Sequence, residues 1–185
     1  MRIIAGTLKG RTFDTPKGLD TRPTLDRVKE ALFGMIQFEI FGRNVLDLFS
    51  GSGNLGLEAM SRGAKYAVFN DSSRECAELI KKNIAALGLA ADTSVTSLNY
   101  TDALNLYKRQ GRSFDIIFLD PPYASGFASE ALEKIAALEL LSADGLIVVE
   151  HDRQNGLKLP DGIGLVKERS YGKVVISLLR RLQDD

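Results

Sequence analysis

Short apolar runs alternate with helix-like patterns along most of the chain after Asn44. The apolar runs predict strands at Val45–Phe49, Tyr66–Asn70, Thr93–Leu98, Phe114–Leu119 and Leu146–Glu150. Between them, apolar residues at helical spacing predict helices at Leu55–Ser61, Ser73–Leu87, Asp102–Arg109 and Ser129–Leu138. This alternation is typical of an α/β protein with a doubly wound, mostly parallel sheet that helices cover on both faces.

The pattern changes at both ends of the chain. Ile163–Ser170 and Lys173–Leu179 are joined at Tyr171-Gly172 without room for a helix, which predicts a C-terminal antiparallel hairpin and a total of seven strands. At the other end, Arg2–Thr7 and Gly10–Asp14 are spaced as a small hairpin. A helix then follows. We therefore predict a small N-terminal appendage at residues 1–43 and a single domain at residues 44–185.

The helix of the appendage is predicted from its cap and its spacing. Thr24 is a good N-cap. The apolar residues after it recur at helical spacing and are Leu25, Val28, Ala31, Leu32, Met35 and Ile36. Gly42 marks the end of this pattern.

Composition narrows the class of protein. The chain has 185 residues and one cysteine, so an internal disulfide and a cysteine-rich metal site are excluded. A cytoplasmic setting fits, and with a single histidine we expect no metal. No run of apolar residues is long enough for a membrane span. Net charge is zero overall, yet residues 1–29 carry seven basic and three acidic side chains, or +4, which is typical of a local phosphate-contacting patch or of an ordinary solvated surface.

The strand Phe114–Leu119 is followed directly by Asp120-Pro121-Pro122-Tyr123. Proline fixes φ and cannot donate to a sheet, so the strand must end there in a stiff loop. The Asp120 carboxylate and the Pro121 carbonyl can accept hydrogen bonds from an exocyclic amine on a planar group, and Tyr123 can stack on that plane. An Asp-Pro turn without function is the structural alternative, but the motif upstream favours a functional site.

That motif is a glycine-rich turn between the first strand and its helix. Gly51, Gly53 and Gly56 form Gly-x-Gly-x-x-Gly, and Asp71 lies 20 residues after Gly51, where an acid can bind ribose hydroxyls. Together they indicate a nucleoside cofactor. Asp47 lies four residues before Gly51 and would repel a pyrophosphate, whereas it suits a cationic ligand. The sequence therefore favours S-adenosyl-L-methionine over NAD.

These motifs resemble the class I S-adenosylmethionine-dependent methyltransferases, and the N-terminal block narrows the likeness. The segments that resemble the RsmD family of 16S ribosomal RNA guanine-N2 methyltransferases are Arg2-Ile3-Ile4-Ala5-Gly6, Gly10-Arg11, residues 22–33, Glu150-His151-Asp152 and Tyr171-Gly172. The likeness spans nearly the whole chain in the right order. It implies a Rossmann-like class I methyltransferase fold.

The resemblance also implies a role for each matching residue. The cofactor's methionine end would lie against Ser50, Gly51, Ser52 and Gly53, with Asp47 at its ammonium, Asp71 at the ribose, and Asp102 and Ala103 at the adenine. The catalytic set would be Asp120, Pro121 and Tyr123. RNA phosphates would be held by Arg2, Lys9, Arg11, Arg22 and Arg27.

The implied reaction is methyl transfer to a guanine N2 amine, at the family's guanine 966 site. The implied partner is 16S rRNA or a small-subunit assembly intermediate, and a monomer is expected. Four other functions stay open from the residues alone. They are an N6-adenine methyltransferase acting on RNA or DNA, a protein glutamine-amide methyltransferase, an NAD-dependent oxidoreductase and a non-catalytic RNA-binding module.

Three side chains have no role that the sequence decides. Phe127 can line the site or pack the next helix, His151 is a polar strand-end residue or a substrate contact, and Tyr171 is a turn residue or a rim of the pocket. Cys76 falls on the apolar side of its helix pattern, so we expect it in the core rather than as a reactive thiol.

Overall fold

The computed structural model describes residues 1–16, 23–122, 126–154 and 156–182. Arg22 and Tyr123, two of the predicted site residues, lie outside the described residues. The helices are α1 Pro23–Met35, α2 Asn54–Ser61, α3 Arg74–Leu87, α4 Tyr100–Arg109 and α5 Phe127–Ala137. The strands are β1 Asn44–Asp47, β2 Tyr66–Asn70, β3 Thr93–Thr96, β4 Phe114–Leu119, β5 Leu141–Asp152, β6 Ile163–Tyr171 and β7 Val174–Arg181.

The seven strands in the described part of the chain form one sheet in the order β3-β2-β1-β4-β5-β7-β6. The strands from β3 to β5 in that order pair in parallel, whereas β7 pairs antiparallel with both β5 and β6. The predicted doubly wound sheet with a C-terminal hairpin is therefore confirmed. The strand order reverses between β1 and β4, and ligands of open α/β sheets bind at the carboxyl ends of the strands at such a switch point.

Two cores cover the sheet, one on each face. The first core holds Phe33, Leu57, Ile80 and Phe118, contributed by α1, α2, α3 and the sheet. The second core is formed against α4 and α5, for example by Leu104. Because side chains alternate along a strand, these assignments fix which face each strand-end residue presents.

The N-terminal residues pack on the first core. Ile3 and Phe13 are buried in it. The predicted hairpin contains only one bridge, between Arg2 and Thr12. Pairing stops because the Glu58 carboxylate of α2 accepts the N–H groups of Ile4 and Ala5 at 2.8 and 3.0 Å. These two N–H groups therefore cannot pair with a second strand. The division at residue 43 into an RNA-contacting appendage and a methyltransferase domain stays a prediction.

Element boundaries differ from the predicted ones at both edges of the sheet. β1 ends at Asp47 rather than Phe49, because the chain leaves the ladder to form the glycine-rich turn. β5 begins at Leu141 rather than Leu146, and its register against β4 shifts between Phe114 and Ile116. Among the described helices, none is long and apolar enough to cross a membrane.

Candidate functional site

Acidic side chains collect at the carboxyl edge of the sheet, around the switch point. Asp47 ends β1, Asp71 follows β2, Asp120 follows β4, and Glu150 lies near the end of β5. Asp47, Asp71 and Asp120 were predicted site residues, and the structure brings them to one edge. Glu150 entered the sequence analysis only as part of a family motif. In the part of the chain that the structure describes, no group of histidine, cysteine or acidic side chains is arranged to hold a metal ion.

The glycine-rich turn uses its three glycines for different purposes. Gly51 and Gly53 have φ of 55° and 85°, in the left-handed region that glycine tolerates, and the Gly53 N–H donates to the Ser50 carbonyl at 2.7 Å. A Cβ on Gly51 would meet nothing within 4 Å, so space for a ligand lies in front of it. At Gly56 a Cβ would overlap the Phe69 ring, which shows that this glycine lets α2 pack closely on β2.

Asp47 lies beneath this turn and is 2% exposed. Its carboxylate accepts the Gly56 N–H at 2.9 Å. Burial and then repulsion from Asp71 raise the pKa of Asp47 to about 7, although the hydrogen bond from Gly56 opposes the shift. Among the described residues it forms no ion pair with a lysine or arginine. Burial in the free protein therefore destabilises the charged form of Asp47, and a cation bound beside the carboxyl would stabilise that form.

Asp71 fastens the turn to the next strand. One carboxylate oxygen accepts the Gly51 N–H at 2.8 Å and the other accepts the Ser73 N–H at 2.8 Å. A carboxylate oxygen has two lone pairs, so each can still accept a hydroxyl hydrogen bond. Asp71 is half-buried, and this fits a ligand with neighbouring hydroxyl groups.

Asn70 organises the same edge and was missed as a site residue. It is buried, and its amide nitrogen donates to the carbonyls of Leu48 and Leu98 at 3.2 and 3.0 Å. Its amide oxygen accepts the Thr96 hydroxyl at 2.9 Å. Asn70 thus joins the ends of β1, β2 and β3. The signal in the sequence was a polar residue at the end of an otherwise apolar run.

Asp102 and Ala103 lie in the first turn of α4, after β3. Asn99 caps this helix by accepting the Asp102 N–H at 2.9 Å, and its amide nitrogen donates back to the Asp102 carboxylate at 2.6 Å. Asp102 is exposed at the carboxyl edge. Ala103 is fully buried and its N–H donates to the Asn99 carbonyl, so the structure places Asp102 at the edge and Ala103 in the second core.

Asp120 and Pro121 follow β4 directly. Asp120 is exposed and Pro121 is buried. Protein atoms nevertheless surround the Asp120 carboxyl on its inner side, and this burial, followed by repulsion from Glu150 and Asp47, raises its pKa well above the usual value. Asp120 is therefore a carboxyl that gains from a hydrogen-bond donor or a positive charge.

Aromatic side chains border this edge on the side of the second core. The Tyr100 ring lies 5.6 Å from Phe49 and 5.3 Å from Phe127, measured between ring centroids. The Tyr100 hydroxyl donates to the Glu130 carboxylate. Phe127, whose role the sequence left open, thus packs against Tyr100 and keeps 37% of its surface exposed.

His151, in β5, and Tyr171, at the end of β6, make contacts in the antiparallel part of the sheet. The His151 Nε2 atom and the Ser177 hydroxyl are 2.9 Å apart, and that hydroxyl donates to Glu168 at 2.9 Å. Tyr171 packs against the first core as a partly buried ring. Neither contact involves the acids at the carboxyl edge.

Cys76 is half-buried rather than in the core, contrary to our expectation. It lies in the first turns of α3 and lines a cavity of about 640 Å³ beside residues 13–16. Burial, offset by a hydrogen bond with Ser73, raises the pKa of its thiol. This is the opposite of the shift that activates a nucleophilic cysteine.

Buried polar side chains connect the N-terminal segment to the glycine-rich turn. The Lys29 ammonium donates to the Arg2 carbonyl at 2.7 Å and to the Asn54 amide oxygen at 2.8 Å. The Asn83 amide nitrogen donates to the carbonyls of Asp14 and Ser52 at 2.9 and 3.1 Å. The position of the N-terminal segment is therefore fixed relative to the turn.

The predicted RNA-binding side chains are not all near the carboxyl edge. Arg2, Lys9, Arg11 and Arg27 are exposed. Arg2 pairs with Asp26 at 3.1 Å, close to the start of α2. Lys9 follows residues that bond to Ser61, and Arg11 donates to the Ala86 carbonyl at 2.8 Å. Lys9 and Arg11 thus lie near the C-terminal ends of α2 and α3. At 1.5 Å per residue, the C-terminal end of α2 is roughly 10 Å from its start.

Comparison with known proteins agrees with this architecture. Ribosomal RNA small subunit methyltransferase D of Escherichia coli (strain K12) is 35% identical over 182 residues, which cover 98% of this chain and 90% of that protein. YlbH of Bacillus subtilis (strain 168) is 36% identical over 184 residues, covering 98% and 99%. The solved structure of yhhF from Escherichia coli matches with a TM-score of 0.88 at 32% identity, covering 100% of this chain and 99% of that chain.

A family model described as Conserved hypothetical protein 95 matches residues 1–180. The match covers nearly the whole chain, and the relatives named above include a methyltransferase of small-subunit ribosomal RNA. The sheet and its covering helices have the class I methyltransferase arrangement. The chain therefore belongs to the Conserved hypothetical protein 95 family, the RsmD family that its sequence motifs resemble.

Proposed function

We propose that this protein transfers a methyl group from S-adenosyl-L-methionine to the N2 amine of a guanine in 16S ribosomal RNA. One observation carries the proposal. The Asp120 carboxyl, suited to holding an amine, lies on the same edge and the same face as the buried Asp47 carboxyl, suited to holding a cation. An amine and a cationic methyl donor would thus be held side by side.

The residues present fit this cofactor. Asp47 has a pKa raised by burial and lacks a cationic partner among the described residues, so the ammonium of the methionine end would stabilise its charged form. Gly51 leaves open space at the turn, and Asp71 has lone pairs for ribose hydroxyls. Asp102 is exposed where an adenine amine would lie. The cofactor supplies an electrophilic methyl group on a sulfonium.

The chemistry then requires positioning and charge stabilisation from the protein. An aryl amine is a weak nucleophile because its lone pair is delocalised into the ring. Hydrogen bonds from the amine to the Asp120 carboxylate and the Pro121 carbonyl would orient the nitrogen and stabilise the positive charge that develops on it. By resemblance, Tyr123 would stack on the base. Such preorganised charge is worth about 10²–10³ in rate for a single group.

The target base must leave its stack to reach Asp120. Extrusion costs least from an unpaired RNA loop. The exposed arginines and lysine of the N-terminal block would then hold the flanking phosphates without reading the sequence. Because Lys9 and Arg11 lie away from the carboxyl edge, contact with them would require an RNA that extends along α2 and α3.

Nucleoside mass spectrometry of ribosomal RNA from cells lacking this gene tests the proposal. We expect loss of N2-methylguanosine from the small-subunit RNA and its return on complementation with the unmodified gene but not with Asp120→Asn. Loss of N6-methyladenosine instead would favour an adenine methyltransferase. An unchanged nucleoside profile would favour a non-catalytic RNA-binding module and contradict the proposal.

A further inference from the structure

Glu150 lies beside Asp120 on the neighbouring strand. β4 and β5 are parallel, and Phe118 pairs with Val148 and Leu119 with Val149, so Asp120 and Glu150 are the next residues along. Phe118 and Val148 face the first core, and the two carboxyls, two residues further, face the same side. Adjacent strands are about 4.8 Å apart. The end of β4 therefore presents a pair of carboxyls rather than a single one.

Glu150 is confined in this position. Only 8% of its surface is exposed, and it lies in the interior of the sheet between β4 and β7, opposite Ile176. Its charge contributes to the raised pKa of Asp120. Two neighbouring carboxylates repel each other and accept hydrogen bonds but cannot donate them. A ligand that offers two adjacent donors can donate a hydrogen bond to each carboxyl at once.

The bases of RNA differ in this respect. Adenine, cytosine and guanine each carry an exocyclic amine, but the ring nitrogen beside the amine is an acceptor in adenine and in cytosine. In guanine the N2 amine lies next to N1–H, which is a donor. Among the three amine-bearing bases, only guanine thus presents two adjacent donors to a pair of carboxyls.

We propose that Glu150 selects guanine by accepting the hydrogen bond of N1–H while Asp120 and Pro121 hold the N2 amine. The inference rests on the function proposed above and extends it to specificity. An adenine placed in the same way would direct the lone pair of its N1 at the Glu150 carboxyl, which costs a hydrogen bond and adds repulsion. The glutamate also sets the orientation of guanine, because it disfavours the pose in which the N3 acceptor faces β5.

The test compares two RNA substrates that differ at the target base. One carries guanine at the mapped position and the other carries 2,6-diaminopurine, which keeps the 2-amine but has an unprotonated N1. With the unmodified protein we expect kcat/KM to favour guanine by at least about 100-fold, because the N1 lone pair of 2,6-diaminopurine would face the Glu150 carboxylate and repel it. For Glu150→Gln we expect the preference to fall to about tenfold or less, because the glutamine amide can donate to N1.

Two further variants separate specificity from structure. Glu133→Gln removes one negative charge from an exposed position of α5 that pairs with Lys158, and it should leave the preference unchanged. Glu150→Asp keeps the carboxyl but shortens the side chain, so it should lower kcat/KM for guanine while still favouring guanine. Cofactor binding, measured by calorimetry, should be retained in all three variants.

The outcomes distinguish this inference from the proposed function. A preference for guanine that is the same in the unmodified protein and in Glu150→Gln overturns the role of Glu150 and leaves the proposed function in place. An unmodified protein that methylates the 2-amine of neither substrate overturns both. If Glu150→Gln does not fold, a Glu150→Asp protein whose kcat/KM for guanine and preference for guanine both equal those of the unmodified protein also overturns the role of Glu150.

Discussion

Glu58 and Asp47 are both buried carboxyls on the first core's side of the molecule, yet the protein compensates their charges very differently. Glu58 is 0% exposed and has four partners, because it accepts the N–H groups of Ile4 and Ala5, bonds to Arg62 at 2.8 Å and faces Lys29 at 3.5 Å. Asp47 is 2% exposed, its carboxylate accepts the Gly56 N–H, and among the described residues it pairs with no lysine or arginine.

The difference separates a structural acid from a site acid. Buried charges normally have ion-pair and hydrogen-bond partners, as Glu58 does. Burial raises the pKa of Asp47, which means that the free protein does not fully offset the desolvation of its charged form. Groups with strongly shifted pKa values concentrate at functional sites. The pKa of Asp120 is also raised, by burial of its carboxyl and by repulsion from Glu150 and Asp47.

The largest effect is expected at Asp120. Asp120→Asn keeps the size of the side chain but removes the charge that would stabilise a methylating amine. We expect kcat to fall by about 10³ with little change in cofactor binding, because the interaction forms only as the charge develops. Asp144→Asn, an exposed change at the opposite edge of the sheet, is the matched control. Equal losses of cofactor binding and turnover would mean that Asp120 holds the cofactor instead.

Glu58→Gln tests the structural side of the comparison. It leaves Lys29 buried without its counter-charge, and removing one partner of a buried pair typically costs about 3–5 kcal/mol in the free energy of unfolding. Urea denaturation measures the loss. Glu78→Gln breaks the exposed pair with Lys81 and should cost less than about 1 kcal/mol. A similar loss in both variants would contradict the importance of the buried network.

Asp47→Asn should separate stability from binding. The folded pKa of Asp47 is raised to about 7 from 3.8, so its contribution to stability is fully present below pH 4 and is lost as pH rises towards and beyond 7. Asparagine mimics the protonated acid. We therefore expect the variant to be more stable than the unmodified protein by on the order of 4 kcal/mol at pH 8, with no gain near pH 4. Denaturation at both pH values measures this difference.

The same variant should lose affinity for S-adenosylmethionine, because the charge that would hold its ammonium is absent. Stabilisation together with weaker cofactor binding is the signature of a site acid. An Asp47→Asn protein that is less stable at pH 8 would instead make Asp47 a structural acid like Glu58.

The smallest effect is a pH dependence of cofactor binding. A cationic ligand favours ionised Asp47, so affinity should rise by up to about tenfold per pH unit as pH increases towards 7 and then level off. Calorimetry across pH 5.5–8.5 in the unmodified protein follows this rise. The dependence should be weaker in Asp47→Asn, and an unaltered profile there would assign the proton to another group, for example Asp120.

The features that depend on neighbouring residues in the sequence could be predicted from it. The alternation of apolar runs predicted a doubly wound, mostly parallel sheet, and the prolines after Leu119 predicted where β4 ends. Spacing also brought Asp47, Asp71 and Asp120 to one edge, because carboxyl ends of parallel strands meet there. The glycine motif was predicted with the correct strand before it and helix after it.

The remaining features depend on contacts between distant parts of the chain. Lys29 counted as one of seven basic residues in the N-terminal block, but it is 3% exposed because Glu58 lies opposite. Asn70 looked like a strand end, and only the structure shows the carbonyls that it joins. Only the register of β5 on β4 shows that Glu150 is the neighbour of Asp120. No periodicity within a single element predicts such pairs.

The central claim is that the acids at the carboxyl edge direct a methyl group to a guanine amine. The most direct measurement incubates the purified protein with deuterated-methyl S-adenosylmethionine and small-subunit ribosomal RNA, free or in assembly intermediates, and identifies the labelled nucleoside by mass spectrometry. We predict labelled N2-methylguanosine at one position, absent with Asp120→Asn. Label on adenine N6, or none on RNA, would contradict the account.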